Sequence, residues 1–412
     1  MQRILVLGAG FSGLWSAAGA ARKLGELKVG ANEVEVTVVN RDAWHGIRVR
    51  NYESDLSDVR VPLDDVLGPI GVRRVEGEVT DLDFTRRKVA VRGAAALQEL
   101  AYDRLVFALG SHLVRPDIPG FAEYAFDVDT FGGGQRLNLH IAALPSQPAS
   151  AGQYTALVVG SGLTGLEAAT EIVDKLQAAI ARGGGAAKTQ PRVIVADHNA
   201  HIGSNMGESA RPVIGEALAR LGIETRIGIT VTALDGQGAT LASGEVIPAA
   251  TIVWCTGMRA NALTAQFPVE RDRFGRVPVD AFMKVKGMEG VFAAGDVASA
   301  PLDAGHASVM SCQHGRPMGR FAGHNVVCDL LGKPMSPLRI DWYTTILDLG
   351  AWGALYTEGW DRHVVATGQA AKKTKRLINR ERIYPPRSKD RSEILDAAAP
   401  VVQLPPPRFV YP

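Results

Sequence analysis

Twice in this chain a short apolar run breaks into three spaced glycines and resumes with helical periodicity, and this repeat constrains the fold more than any other feature. The first instance follows Ile4-Leu5-Val6-Leu7 and reads Gly8-Ala9-Gly10-Phe11-Ser12-Gly13; the second follows Ala156 to Val159 and reads Gly160-Ser161-Gly162-Leu163-Thr164-Gly165. In each, the first glycine permits a tight turn, the second lets the backbone approach a pyrophosphate, and the third lets helix and strand pack closely. Free N–H groups at the helix start then face the phosphate charge. A single turn of this kind also serves as an ordinary strand-to-helix connection, but two in matching settings predict two doubly wound α/β units.

The flanks extend the pattern. Phe11 to Leu24 reads as a helix and Val34 to Val39 as the next strand; Leu163 to Ile180 and Arg192 to Ala196 repeat this after a Gly183-Gly184-Gly185 turn. A carboxylate at the end of the second strand usually binds ribose hydroxyls, and the first unit has Asn40, Arg41 and Asp42 there. Asn40 either accepts and donates one ribose hydrogen bond without charge assistance or caps the following loop. The second unit has Asp197, which either reads a free 2′-hydroxyl and repels a 2′-phosphate, favouring NADH over NADPH, or is a surface aspartate. Two more glycine turns follow strands, Ala108-Leu109-Gly110-Ser111 and Cys255-Thr256-Gly257-Met258, each expected at a crossover between domains. Val291 to Ala294 then ends in Gly295-Asp296, where a carboxylate can accept a hydrogen bond from a flavin ribityl hydroxyl.

Bulk properties narrow the partners. A chain of 412 residues with 46% hydrophobic content is expected to hold two or three domains. Lys plus Arg number 45 against 43 acids, so no global charge points to nucleic acid. The first strand starts so near Met1 that a secretory signal is not expected, which predicts a cytoplasmic protein. No apolar run reaches the roughly 18 to 20 residues of a bilayer span. Three scattered cysteines, Cys255, Cys312 and Cys328, suit neither a disulfide framework nor a metal cluster.

Together these motifs resemble the two-dinucleotide flavoprotein superfamily, the pyridine nucleotide-disulfide oxidoreductases, and within it most closely the type II NADH dehydrogenases, over residues 1 to about 330. The resemblance implies that FAD is held by Gly8, Gly10, Phe11, Ser12, Gly13, Asn40, Arg41, Val79, Ala108, Gly110, Gly295 and Asp296. It implies that NADH is held by Gly160, Gly162, Thr164, Gly165, Asp197 and Gly257, with Glu167 matching the family's glutamate beside the nicotinamide. The family's Gln-x-Ala-x-Gln-Gln-Gly segment beside the quinone path corresponds to Gln313-His314-Gly315-Arg316-Pro317-Met318-Gly319; Gln313 and Gly319 match, while Pro317 and Met318 replace the paired glutamines. Cys312 either carries a lowered pKa and approaches the flavin or fills space as a small buried residue. His306 and His314 either deliver protons or are satisfied histidines. No cysteine precedes Cys255, which excludes disulfide reduction by the family's usual route.

The expected architecture is α/β with two Rossmann-like dinucleotide-binding domains (three-layer ββα/βαβ). A first FAD-binding part spans 1–120, an inserted NAD(H) domain 121–278, the second FAD-binding part 279–333, and a strand-rich C-terminal segment 334–412. That last segment carries Lys372, Lys373, Lys375, Arg376, Arg380, Arg382, Arg387, Lys389 and Arg391 before a proline-rich tail. These charges suit peripheral contact at the inner face of the membrane, docking of an acidic electron carrier, or a solvated face. The expected reaction moves hydride from NADH to flavin N5 and then electrons to a quinone or other small oxidant; the alternatives are an NADH-dependent ferredoxin or rubredoxin reductase and a flavin-bearing sensor. A homodimer is compatible with each.

Overall fold

The computed structural model describes residues 1–184 and 190–409. Gly185 of the expected glycine turn and the last three residues of the tail lie outside the described residues. The chain opens with β1 (Gln2–Leu7), α1 (Phe11–Glu26), β2 (Val34–Asn40), β3 (Arg73–Glu76) and β4 (Arg104–Phe107). It continues through β5 (Ala125–Phe126), β6 (Thr155–Val159), α2 (Leu163–Arg182), β7 (Arg192–Ala196), β8 (Glu224–Arg226) and β9 (Thr251–Trp254). It closes with β10 (Val291–Ala293), α3 (Cys312–Leu330), β11 (Thr344–Asp348), β12 (Ala354–Glu358), β13 (His363–Thr367), α4 (Gly368–Leu377) and α5 (Arg391–Ala397).

Two parallel five-stranded sheets result. The first has the order β10-β4-β1-β2-β3 and the second β5-β9-β6-β7-β8, so the strand before each glycine turn lies at the centre of its sheet. Both central strands are covered on both faces, which is why Ile4 to Leu7 and Thr155 to Val159 are continuous apolar or small runs instead of alternating ones. The first sheet takes its edge strand β10 from after the second sheet, so the second unit is an insertion in the first. Where the chain passes between them, residues 111–113 pair antiparallel with residues 258–260. Ala260, Phe267 and Val277 belong to the core of the first unit, although a boundary at 278 would assign them to the second. We therefore place the return crossing near residue 260.

Helices α1 and α3 lie unusually close because three glycines recur at helical spacing on α3. A Cβ at Gly319 would collide with the Ser12 backbone, one at Gly323 with the Ser16 carbonyl, and one at Gly315 would press on the Ser12 hydroxyl. The contact brings the helix after Gly295-Asp296 directly onto the helix of the first glycine turn. Strands β11 to β13 form an antiparallel sheet within the C-terminal segment expected to be strand-rich. Ile394 of α5 is buried in the core of the first unit. The tail lies on the molecule: Tyr356 Oη donates to the Pro406 carbonyl at 3.0 Å and Thr374 Oγ1 to that of Pro407 at 2.9 Å.

Candidate functional site

Strand register assembles the first group. Leu7 lies opposite Val39 and Phe107, and Phe107 opposite Ala293, so Gly8, Asn40, Ala108 and Ala294 emerge side by side at one sheet edge. In the second sheet Val159 lies opposite Ala196 and Trp254, which aligns Gly160, Asp197 and Cys255 in the same way. These are carboxyl ends of parallel strands, where open α/β sheets place their ligands.

The two turns share their construction. Gly8 and Gly160 have φ of +92° and +106°, and a Cβ at Gly13 or Gly165 would strike the carbonyl of Gly8 or Gly160. A Cβ at Gly10 or Gly162 would meet nothing within 4 Å, and neither α1 nor α2 has a side-chain cap at its N-terminus. Each helix therefore presents unsatisfied N–H groups to an open space, an environment that suits a pyrophosphate. Phe11, Ser12 and Thr164 occupy the first turns of these helices.

The strand-end residues turn toward the loops as well as toward the cleft. Ala9 N donates to Asn40 Oδ1 at 3.0 Å, and Asn40 Nδ2 donates to the Asp42 carbonyl at 3.0 Å. Correspondingly, Ser161 donates to Asp197 Oδ2 through N at 2.7 Å and Oγ at 2.5 Å, while Asn199 donates to Oδ1 through N and Nδ2, each at 2.8 Å. Burial alone would raise the Asp197 pKa, but these hydrogen bonds hold it below the usual carboxylate value. Asp197 is thus buried and braces the second glycine turn, so it is not a surface aspartate. Arg41 is exposed beside Asp42 at 3.7 Å, and Val79 is buried opposite Val91 in an antiparallel ribbon.

At the remaining corner, Asp296 Oδ2 accepts a 2.6 Å hydrogen bond from Ser111 Oγ, and Arg48 Nη1 lies 3.7 Å away. Arg48 also donates to Ser111 Oγ at 2.9 Å and pairs with Asp129. Burial pushes the Asp296 pKa up, and Ser111 and Arg48 oppose that. Arg48 and Asp129 escaped sequence reasoning because an arginine and an aspartate in separate loops carry no local signal. Gly110 and Gly257, with φ of +70° and +82°, turn the chain into the ladder that joins the units.

Alternate residues of β11 bring Gln313, Lys375 and Glu167 into one region. Thr344 Oγ1 lies 3.4 Å from Gln313 Oε1, the Ile346 carbonyl accepts from Lys375 Nζ at 3.1 Å, and Asp348 N donates to Glu167 Oε1 at 3.0 Å. Lys375 on α4 forms a buried 2.7 Å ion pair with Glu167. Burial pushes the Glu167 pKa up against the pull of Lys375; burial lowers that of Lys375, but Glu167 more than offsets it and the lysine stays charged. Gln313 Nε2 is buried with no partner among the described residues, so the amide has a donor to spare.

The thiols and histidines take quieter roles. Burial raises the Cys312 pKa instead of lowering it, which disfavours a thiolate; Cys312 packs with Phe11, Ile383 and Tyr384. His314 is buried, accepts from Val309 N at 2.9 Å through Nδ1, and has its pKa pulled down by burial to about 4. His306 is stacked on Trp360 at 4.2 Å and held by Asp303. His45, absent from the sequence reading, lies edge-on to Phe11, with Nδ1 2.9 Å from the Ala9 carbonyl.

Part of the basic C-terminal charge is paired within the chain, although Lys373, Arg376, Arg380, Arg387, Lys389 and Arg391 are exposed. Lys372 pairs with Asp348, Arg387 with Asp58 at 3.0 Å and Lys389 with Asp65 at 3.0 Å, while Arg382 donates to the Leu404 and Pro405 carbonyls. Among the described residues no helix is long and apolar enough to cross a membrane, and no group of three or more His, Cys, Asp or Glu side chains could hold a metal ion.

Comparison with known proteins agrees with this geometry. The chain is 55% identical over 403 residues to an NADH dehydrogenase-like protein of Mycobacterium tuberculosis, covering 98% of this chain and 99% of that one. It is 27% identical to the demethylphylloquinone reductase of Synechocystis over 91% of each chain. Its fold matches the NADH complex of NDH2 from Plasmodium falciparum with a TM-score of 0.75 at 12% identity, over 96% of this chain and 97% of that one. The model of the pyridine nucleotide-disulphide oxidoreductases matches residues 2–319, and the chain, an oxidoreductase, belongs to that family.

Proposed function

We propose that the first unit holds FAD, the inserted unit holds NADH, and the protein passes reducing equivalents from NADH to a quinone or another small acceptor. The observation that carries this reading is the duplicated pair of uncapped helix N-termini, each facing an open glycine at a sheet edge. Such a pair suits two pyrophosphates. Bound FAD would supply two-electron exchange between nicotinamide and acceptor. The chain's own residues position the ligands. Gly8 to Gly13 and Gly160 to Gly165 seat the phosphates, braced by Asn40 and Asp197. Ser111 and Arg48 fix the Asp296 carboxylate at the ribityl side. Glu167, held by Lys375, borders the nicotinamide side, and the spare amide of Gln313 meets the acceptor.

The relatives named as NADH dehydrogenase-like and as a quinone reductase support NADH as donor and a quinone as acceptor. Of the C-terminal cations, Lys372 and Lys375 are drawn into ion pairs within the chain and are not offered to an acidic carrier protein. Purified protein should release FAD on acid precipitation, and NADH should bleach the flavin anaerobically with a higher kcat/KM than NADPH. A short-chain quinone should then restore the colour. Release of FMN or of no flavin would refute the first assignment, and preference for NADPH the second.

A further inference from the structure

Beneath the C-terminal segment lies a cavity of about 710 Å³ to which no residue of either glycine turn contributes. Its inner wall is the contact between α1 and α3, represented by Trp15, Arg316 and Arg320; its outer wall is the chain from Arg380 to Gln403. The volume is that of a small-molecule site. Five arginines line it, Arg316, Arg320, Arg380, Arg382 and Arg387, against two acids, Glu381 and Asp396.

The deepest two arginines are unusual within this protein. Arg316 is 6% exposed and Arg320 2%, yet among the described residues neither has a carboxylate within 4.0 Å or a hydrogen-bonded side chain. The other two buried arginines do: Arg50 pairs with Glu53 at 2.7 Å and Arg276 with Asp272 at 2.6 Å. Nε of Arg316, Nε of Arg320 and Nε1 of Trp15 are all buried without an acceptor. The Trp15 ring faces both guanidiniums, at 4.5 Å from Arg320 and 5.5 Å from Arg316, which offsets part of the desolvation but satisfies none of these donors. Burial pulls Arg316 down to about 10 and Arg320 to about 9, the latter also through its like-charged neighbour. Two guanidiniums held side by side out of water without acids leave an uncompensated charge, and an anion is what compensates it.

We propose that this cavity binds a small organic acid, its carboxylate, sulfonate or phosphate group held by Arg316 and Arg320 and its flat apolar body lying against the Pro385-Pro386 wall. The planar forks of the arginines match the paired oxygens of such a group. Pro385, Pro386, Ala397 and Val401 supply an apolar surface that inorganic phosphate would leave unused. The site does not depend on the assignment of either dinucleotide, and its test reads binding, not turnover.

Isothermal titration of the flavin-loaded protein with 2-naphthoate tests the proposal, with 2-naphthol as the neutral analogue, inorganic phosphate as the bare anion, and vesicles of phosphatidylglycerol in phosphatidylcholine as the lipid source. Saturable one-to-one binding of naphthoate is expected, weakened at least tenfold in Arg320→Gln and lost in the Arg316→Gln/Arg320→Gln pair, with no competition from 2-naphthol. Arg380→Gln, which alters only the outer wall, guards against misfolding of the deep variants; it should weaken naphthoate several-fold with an unchanged melting temperature. Absent naphthoate binding, binding that all three variants retain, or association with phosphate or vesicles alone would overturn the proposal.

Discussion

The buried pair of Glu167 and Lys375 makes a prediction that a double-mutant cycle can test. The two charges meet at 2.7 Å, their side chains are 8% and 10% exposed, and each has one further backbone partner, Asp348 N for the carboxylate and the Ile346 carbonyl for the ammonium. Lys375→Met leaves a carboxylate out of water with a single N–H donor; Glu167→Gln leaves an ammonium with one carbonyl. Either change should cost about 3–5 kcal/mol, the range for stranding one partner of a buried pair. The double variant should cost less than the sum by at least about 2 kcal/mol, because removing both charges also removes the uncompensated one. In Lys375→Met only the Asp348 N–H opposes the upward push of burial on Glu167. A carboxyl with a raised folded pKa contributes stability below its unfolded value and loses it as pH rises, so the variant's deficit should grow from pH 4 to pH 8. Urea unfolding of the flavin-loaded protein across that range provides the measurement. Additivity within about 0.5 kcal/mol, or a deficit that does not change with pH, would refute the reasoning.

Other predictions concern the glycine turns and the acceptor side. His45 and His314 are buried, with burial as the first cause of pKa values near 4; their stability is present above the unfolded value of about 6.5 and lost as pH falls toward 4. Lowering pH from 7 to 5 should cost about 2 kcal/mol per histidine, and His45→Gln should remove one share of that slope in urea unfolding. Asp197→Asn removes the charge that Ser161 and Asn199 stabilise, so NADH should bind more weakly by about 1–3 kcal/mol and the preference over NADPH should narrow, as stopped-flow reduction would show. Gly319→Ala forces a methyl group into the Ser12 backbone and should cost about 1–3 kcal/mol and loosen FAD, measured as flavin retained through gel filtration. Gln313→Ala should slow flavin reoxidation by quinone while leaving reduction by NADH nearly unchanged; slowing of the NADH step alone would displace Gln313 from the acceptor side.

The parts of this fold that could be read from sequence are those built by neighbours in the chain. A strand, three glycines and a helix lie within about twenty residues, so both turns and the Gly295-Asp296 corner were visible. The Gly315, Gly319 and Gly323 spacing carries no reading by itself, because its meaning needs the opposing Ser12 and Ser16 of another helix. What was hidden depends on direction. Sequence placed Asn40 and Asp197 at strand ends, yet could not show that Ala9 and Ser161 claim their oxygens. Nor could helix position distinguish an inert Cys312 from an activated one, because its surroundings come from Phe11, Ile383 and Tyr384.

The C-terminal segment shows what a charge pattern alone leaves out. Nine cations within twenty residues suit a solvated basic face, and Lys373, Arg376, Arg380, Arg387, Lys389 and Arg391 are indeed exposed, but the pattern says nothing of partners hundreds of positions earlier. Asp58 accepts Arg387 at 3.0 Å, Asp65 takes Lys389 at 3.0 Å, and Glu167 of the inserted unit takes Lys375. Asp58 and Asp65 lie in the first unit and Glu167 in the second, so one short segment grips both. Exposed ion pairs are worth little individually, so the grip rests on the buried pair of Lys375 with Glu167 and on Ile383 and Tyr384 packed beside Phe11 and Cys312. The same segment roofs the arginine-lined cavity. A cut between β13 and α4 should therefore both loosen the two units and open that cavity, whereas removal of an outward basic patch would do neither. Limited proteolysis followed by naphthoate titration separates the two: retained binding after the segment has dissociated would show that it braces the fold without forming the cavity wall.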